Sequence, residues 1–241
     1  MSPGAVPCVG STLLTGMLDD SRHGLLSLEE VARTSSSAHY ATGRDDVPVL
    51  CVATPEAVRL PASLVVAALP SGRLFAADGR LRDAARTWQV TRWWQPPRPR
   101  GLVPPAAPPS LPDVDLVVDI APSDLVGRGP GLTPSGDDVV AGALVAAYAT
   151  GHPGLAAWRE QTGEVLGTRR TTAVSRGLLH HAMDGYAVPE LAAFLVAVCA
   201  GGDPASASSR LLAVGHSSGA ALASGALHVL VSHPAVRRRA A

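Results

Sequence analysis

Residues 127–142 read Gly-Arg-Gly-Pro-Gly-Leu-Thr-Pro-Ser-Gly-Asp-Asp-Val-Val-Ala-Gly. A glycine-rich turn here runs straight into an apolar segment, a pattern that predicts a loop entering a buried helix. The first N–H groups of such a helix have no partner inside it, and the helix dipole adds partial positive charge at that end. The turn is therefore a candidate anion site. Backbone N–H groups near Gly129 and Gly131 would be its donors, with Thr133 and Ser135 adding hydroxyls. Asp137 and Asp138 at the same place point to a metal ion, a proton transfer or capping. Ser135 and Asp138 do fit the Ser-x-x-acid capping box. Yet Gly127, Gly129, Gly131 and Gly136 are more glycines than one cap needs.

A second stretch echoes the first. Gly215–Gly219 reads Gly-His-Ser-Ser-Gly and leads into another apolar run. Ser217 or Ser218 is placed to cap that helix, the N–H of Gly219 to face an anion, and His216 to donate a proton near neutral pH. The order is not Gly-x-Ser-x-Gly, so a nucleophile elbow is not expected. A third stretch, Arg169-Arg170-Thr171-Thr172 with Ser175 and Arg176, places Thr171 with Ser175 and Thr172 with Arg176 at i,i+4 on a helix. Guanidinium beside hydroxyls suits phosphate or carboxylate. Thr caps on a solvated helix start are the plainer reading of the same residues. His180 and His181 are adjacent and diverge on a helix, which argues against a two-histidine metal site.

Around these motifs the second half reads as helices over Val139–Ala149, Leu155–Gly167, Thr171–Met183, Glu190–Ala200 with Pro189 at the first position, and Ser218–Val231. Val114–Ile120 is a short apolar stretch that periodicity assigns equally to strand or helix. The first half reads as β. Val49–Ala53 is a buried strand candidate, Ala57–Leu69 holds another, and Trp88–Trp94 alternates. Arg73–Arg82 is a hairpin turning at Asp78-Gly79. Residues 95–112 are proline-rich and predict an extended connector. The expected fold class is α+β: a β-rich barrel-like or sandwich-like domain (1–95), a connector (96–112) and a mainly helical domain (113–241).

Composition narrows the function. In 241 residues, Lys+Arg and Asp+Glu both total 20, and every basic residue is Arg. The neutral balance argues against nucleic acid as the main partner. The lack of lysine excludes a Walker-type phosphate loop, a Schiff-base enzyme and a lysine base. Cys8, Cys51 and Cys199 are widely spaced and are expected to be reduced core thiols of a cytoplasmic protein. The N-terminal residues lack the basic region of a secretory signal. Apolar runs such as Val139–Ala149 fall short of the roughly 20 residues that span a bilayer, so no membrane partner is expected.

The motifs Gly127–Asp138, Arg170–Ser175 and Gly215–Gly219, in this order and approximate spacing, resemble the bacterial AllH family. The resemblance covers roughly Val114–Val231 firmly and the first half more loosely. It implies a part in oxamate carbamoyltransferase together with FdrA-like and AllG-like protein subunits. The reaction moves a carbamoyl group between phosphate and the nitrogen of oxamate. The ligands would then be carbamoyl phosphate and an oxamate-like acid, held where the three motifs meet. Within that reading Arg170 clamps a carboxylate or phosphate. Thr133, Ser135, Thr171, Thr172, Ser175, Ser217 and Ser218 orient the ligand, with Asp138 beside them. Asp137 is a base or a Mg²⁺ ligand, Mg²⁺ being the one cofactor the carboxylates suggest, and His216 is a proton donor. The competing reading is a non-catalytic subunit that docks on the same partners.

Overall fold

A computed structural model describes residues 4–19, 25–111, 114–168 and 170–233. The chain divides into two compact units, residues 1–96 and 97–241. Arg169 and Pro112, which belong to two of the stretches above, lie outside the described residues.

The first unit is a closed barrel of eight strands. They are β1 (Val6–Ser11), β2 (Leu26–Arg33), β3 (Ser37–Ala41), β4 (Val49–Ala53), β5 (Ser63–Val65), β6 (Leu74–Ala77), β7 (Arg80–Arg82) and β8 (Thr87–Trp94). The order around the barrel is β1-β5-β4-β3-β2-β6-β7-β8. Most neighbours are antiparallel, but β1 pairs with β8 and β4 with β5 in parallel. Every residue of Val49–Ala53 is buried, as an uninterrupted apolar run demands. Tyr40, Trp88, Leu28, Leu50, Leu64, Leu74 and Leu81 fill the interior. Leu14, Met17 and Leu18, from a 3-10 turn and the short helix α1 (Thr15–Asp19), join the same cluster. The β6–β7 hairpin turns at Asp78 (φ 50°) and Gly79 (φ 70°), the left-handed pair that a two-residue type I′ turn requires. The barrel alternative of the sequence reading is the one observed.

Helices build the second unit: α2 (Pro122–Leu125), α3 (Ser135–Thr150), α4 (Leu155–Gly167), α5 (Ala173–Met183), α6 (Pro189–Ala200), α7 (Pro204–Leu212) and α8 (Ser218–Ser232). Helix α3 is buried from Gly136 to Ala147 and packs chiefly on α8 and then on α5. Glycines set the α3–α8 spacing. A Cβ on Gly142 would stand 2.1 Å from the Leu222 carbonyl oxygen, and one on Gly225 would stand 1.9 Å from that of Val139. Each helix thus rests directly on the other's backbone.

Val114–Ile120 is neither strand nor helix. Side chains of α8 hold its backbone. Val117 N donates to Ser224 Oγ (3.3 Å), and His228 Nδ1 lies 2.9 Å from the Val117 carbonyl. The proline-rich stretch forms neither helix nor strand over residues 95–111, and from Pro97 on it is fastened to the helical unit. Leu102 N donates to the Ala149 carbonyl, and Ala187 N to that of Pro97. The Arg98 guanidinium sits between the rings of Tyr148 (4.7 Å) and Tyr186 (5.0 Å). The three cysteines are free; Cys8 and Cys51 are buried, and Cys199 is only half-buried. Burial raises all three thiols, to about 12 for Cys8 and Cys51 and about 11 for Cys199, so these are weak nucleophiles. Among the described residues no helix is long and apolar enough to cross a membrane.

Candidate functional site

The three sequence motifs meet within the helical unit, at the N-termini of α3, α5 and α8. Each contact can be traced to one residue. Asp137, in the first turn of α3 and fully buried, accepts from Gly127 N through Oδ1 (2.7 Å) and from the Thr171 hydroxyl through Oδ2 (2.5 Å). It thereby joins the start of the glycine loop to the Arg170–Ser175 stretch. Thr172 caps α5, its Oγ1 accepting from Ser175 N (3.0 Å), and donates to the Leu132 carbonyl (2.6 Å). Thr133 Oγ1 and Ser218 Oγ lie 3.0 Å apart and join the loop to the start of α8. Gly127 has φ 84°, and a Cβ there would stand 2.3 Å from the Arg170 carbonyl oxygen; both facts require glycine.

Asp138 differs from its neighbour. It is 1% exposed and its Oδ2 has no hydrogen-bond partner. Burial pushes its carboxyl up to about 7. The hydroxyls of Ser218 and Thr133 pull in the opposite direction, and the Asp137 charge adds to the rise. The dipole of α3 favours a carboxylate in the first turn, yet desolvation outweighs it.

Several expectations change on this geometry. The N-cap of α3 is Pro134, without a side-chain cap. Ser135 is the first helical residue, so the Ser135–Asp138 capping box does not form. Ser217 stands at the N-cap of α8 and makes no capping bond either. Gly219 N donates to the Val214 carbonyl (2.9 Å), and a Cβ on Gly219 would stand 1.9 Å from the Leu211 carbonyl oxygen. It serves α7–α8 contact rather than a ligand. Thr171 and Thr172 precede α5 instead of lying on its face. Ser175 is fully buried and its hydroxyl has no partner, so it cannot meet a ligand at the surface. Asp137, expected as a base or Mg²⁺ ligand, is a clasp: its oxygens are engaged and water does not reach it. Among the described residues no group of three or more His, Cys, Asp or Glu is placed to hold a metal ion.

What remains at the surface is a coherent set. Gly129, Gly131, Arg170, His216 and Ser217 are exposed, and Thr133, Ser135 and Ser218 are partly so. Arg170 Nη1 donates to the Ser123 carbonyl (3.0 Å), which holds the guanidinium beside α2. Gly129 (φ 110°) and Gly131 (φ 94°) keep the loop in a left-handed path. Sequence reasoning could not separate Asp137 from Asp138, since both are aspartates in one helical turn.

The clasp carries a direct prediction. Asp137→Ala leaves the half-buried Gly127 N–H and Thr171 hydroxyl without their acceptor, each costing about 1–3 kcal/mol. We expect urea unfolding to show a loss of about 3 kcal/mol. Asp137→Asn, which keeps one acceptor, should lose about half of that.

No solved structure matches the chain. Residues 125–230, which hold all three motifs, match the family model described as oxamate carbamoyltransferase subunit AllH, the family that those motifs resemble.

Proposed function

We propose that the chain is an AllH-type subunit of an oxamate carbamoyltransferase and that its helical unit handles the anionic substrates. The reading rests on the convergence of three distant polar turns on one pair of adjacent carboxylates, at the positive ends of α3 and α8. In this reading the Gly129–Gly131 loop and the α8 start receive the phosphate of carbamoyl phosphate, and Arg170 pairs with the carboxylate of an oxamate-like acid. His216 hydrogen-bonds the phosphate as it leaves. Charge stabilisation of a tetrahedral intermediate and of a phosphate leaving group is chemistry that helix N-termini and arginine supply without lysine or metal. FdrA-like and AllG-like subunits are the proposed partners.

The test is phosphate release from carbamoyl phosphate and oxamate by the purified chain, by the partner subunits, and by all together. Turnover should need this chain, and Arg170→Ala in the complex should raise KM about tenfold or more, the loss expected for one charge-assisted contact. Full turnover by the partners alone would reduce the chain to a passenger. Titration calorimetry with oxamate distinguishes substrate handling from docking: a complex that turns over while Arg170→Ala leaves oxamate binding and the KM for oxamate untouched makes this chain a scaffold.

A further inference from the structure

Asp138, Thr133 and Ser218 form a cluster that links a buried acid to the surface. Thr133 Oγ1 and Ser218 Oγ are 3.0 Å apart, and both hydroxyls act on the Asp138 carboxyl. The hydroxyls favour the carboxylate, while burial and the neighbouring Asp137 charge favour the neutral acid and outweigh them. The cluster is sealed from water on the Asp138 side, since that residue is buried with Oδ2 unpartnered. It opens through Ser218, which is partly exposed at the first turn of α8. An unpaired buried carboxylate oxygen is costly, and a neutral acid lowers that cost.

We infer that Asp138 is the proton store of the site and that the Ser218 hydroxyl passes its proton to the departing phosphate. This rests on the carbamoyl-transfer reading above. The acceptor nitrogen attacks the carbamoyl carbon, and the C–N bond forms. As the C–O bond to phosphate breaks, its electron pair stays on the bridging oxygen. Ser218 protonates that oxygen and is reprotonated by Asp138. The proton lost by the acceptor nitrogen returns to Asp138 along the same hydroxyls, so the protein ends as it began. Asp138 acts through Ser218 and is a positioning and proton-storing residue; Ser218 touches the reacting atoms. The charged group that acts on Asp138 is Asp137, in the same turn, and it favours the neutral form. His216, two residues before Ser218 on the exposed turn, is the other titrating group to be separated.

The test uses the reconstituted complex. For the wild type, kcat in the phosphate-releasing direction should fall tenfold per pH unit above neutrality, as it must when the required acid loses its proton. Asp138→Asn should be slower by about 100-fold or more, the scale of general-acid catalysis, and its residual rate should be flat with pH. His216→Gln should keep the alkaline fall where it is. Ser218→Ala should match Asp138→Asn, and Ser218→Thr should recover most of the rate. Circular dichroism checks that each variant folds; if Asp138→Asn does not, the Ser218 pair decides. A wild-type complex that neither binds carbamoyl phosphate nor turns over refutes the carbamoyl-transfer reading itself. A complex that turns over normally, while Asp138→Asn keeps the alkaline fall or Ser218→Ala keeps the rate, refutes the proton store alone.

Discussion

Gly225→Ala and Gly142→Ala should each cost the helical unit about 4 kcal/mol or more, the range reserved for backbone collisions and lost core packing. Alanine favours a helix over glycine by about 1 kcal/mol, so propensity alone predicts the opposite sign. Contact decides against propensity here. The added methyl would lie 1.9 Å from the Val139 carbonyl oxygen in the first case and 2.1 Å from that of Leu222 in the second. Neither obstacle is a flexible side chain that can swing away. The helices would have to part, and α3 is buried on all sides from Gly136 to Ala147, so no face can absorb the shift. Gly163→Ala is the control. It sits exposed on α4 with nothing within 4 Å of the new atom and should gain about 0.5–1 kcal/mol. Denaturant unfolding followed by helical circular dichroism measures all three. Equal midpoints for Gly225→Ala and Gly163→Ala would overturn the packing argument.

Asp138→Asn should lose activity and gain stability, the more so as pH rises. In the unfolded chain the carboxyl ionises near its ordinary value of 3.8; in the fold burial lifts it to about 7. Below the lower value both states are neutral and the fold keeps this contribution in full. Between the two values the unfolded chain releases its proton while the folded one does not, so stability drains away as pH rises. The loss is complete once pH passes the folded value. A shift of this size corresponds to about 2–4 kcal/mol. Asparagine does not titrate. The stability difference between Asp138→Asn and the wild type should therefore widen between about pH 4 and about pH 8 by that amount. Parallel curves across that range would mean that Asp138 ionises as easily inside the protein as outside it.

The elements legible in the sequence are those in which one local signal dominates. Val49–Ala53 was bounded by its apolar run, the β6–β7 hairpin by Asp78-Gly79, and Leu155–Gly167 by its amphipathic period. Strands β1, β2 and β3 gave no such signal. Gly10 in β1 is there because a Cβ would press on Val90 and Trp93, a fact of the closed barrel rather than of the sequence. Helix α7 was also silent: Pro-Ala-Ser-Ala-Ser-Ser carries no apolar period, and its start depends on Asp203 accepting from Ala205 N and Ser206 N. At the site, the three motifs were visible because glycine, serine and arginine cluster there. The division of labour was not. Asp137 and Asp138 are chemically identical, and only the fold decides that one meets Gly127 N and Thr171 while the other faces Thr133 and Ser218. Gly219 likewise reads as an anion-binding N–H until Val214 claims it.

The seam of the barrel joins its earliest strand to its latest, residues 6–11 to residues 87–94. A nascent chain shorter than this holds at most an open sheet, with β1 and β7 as raw margins. It also lacks Trp88, among the largest side chains of the interior. Unpaired margins of this kind recruit other chains. The hazardous interval in this protein's synthesis is thus the one between the emergence of β1 and that of β8, and chaperone protection matters most before strand eight arrives.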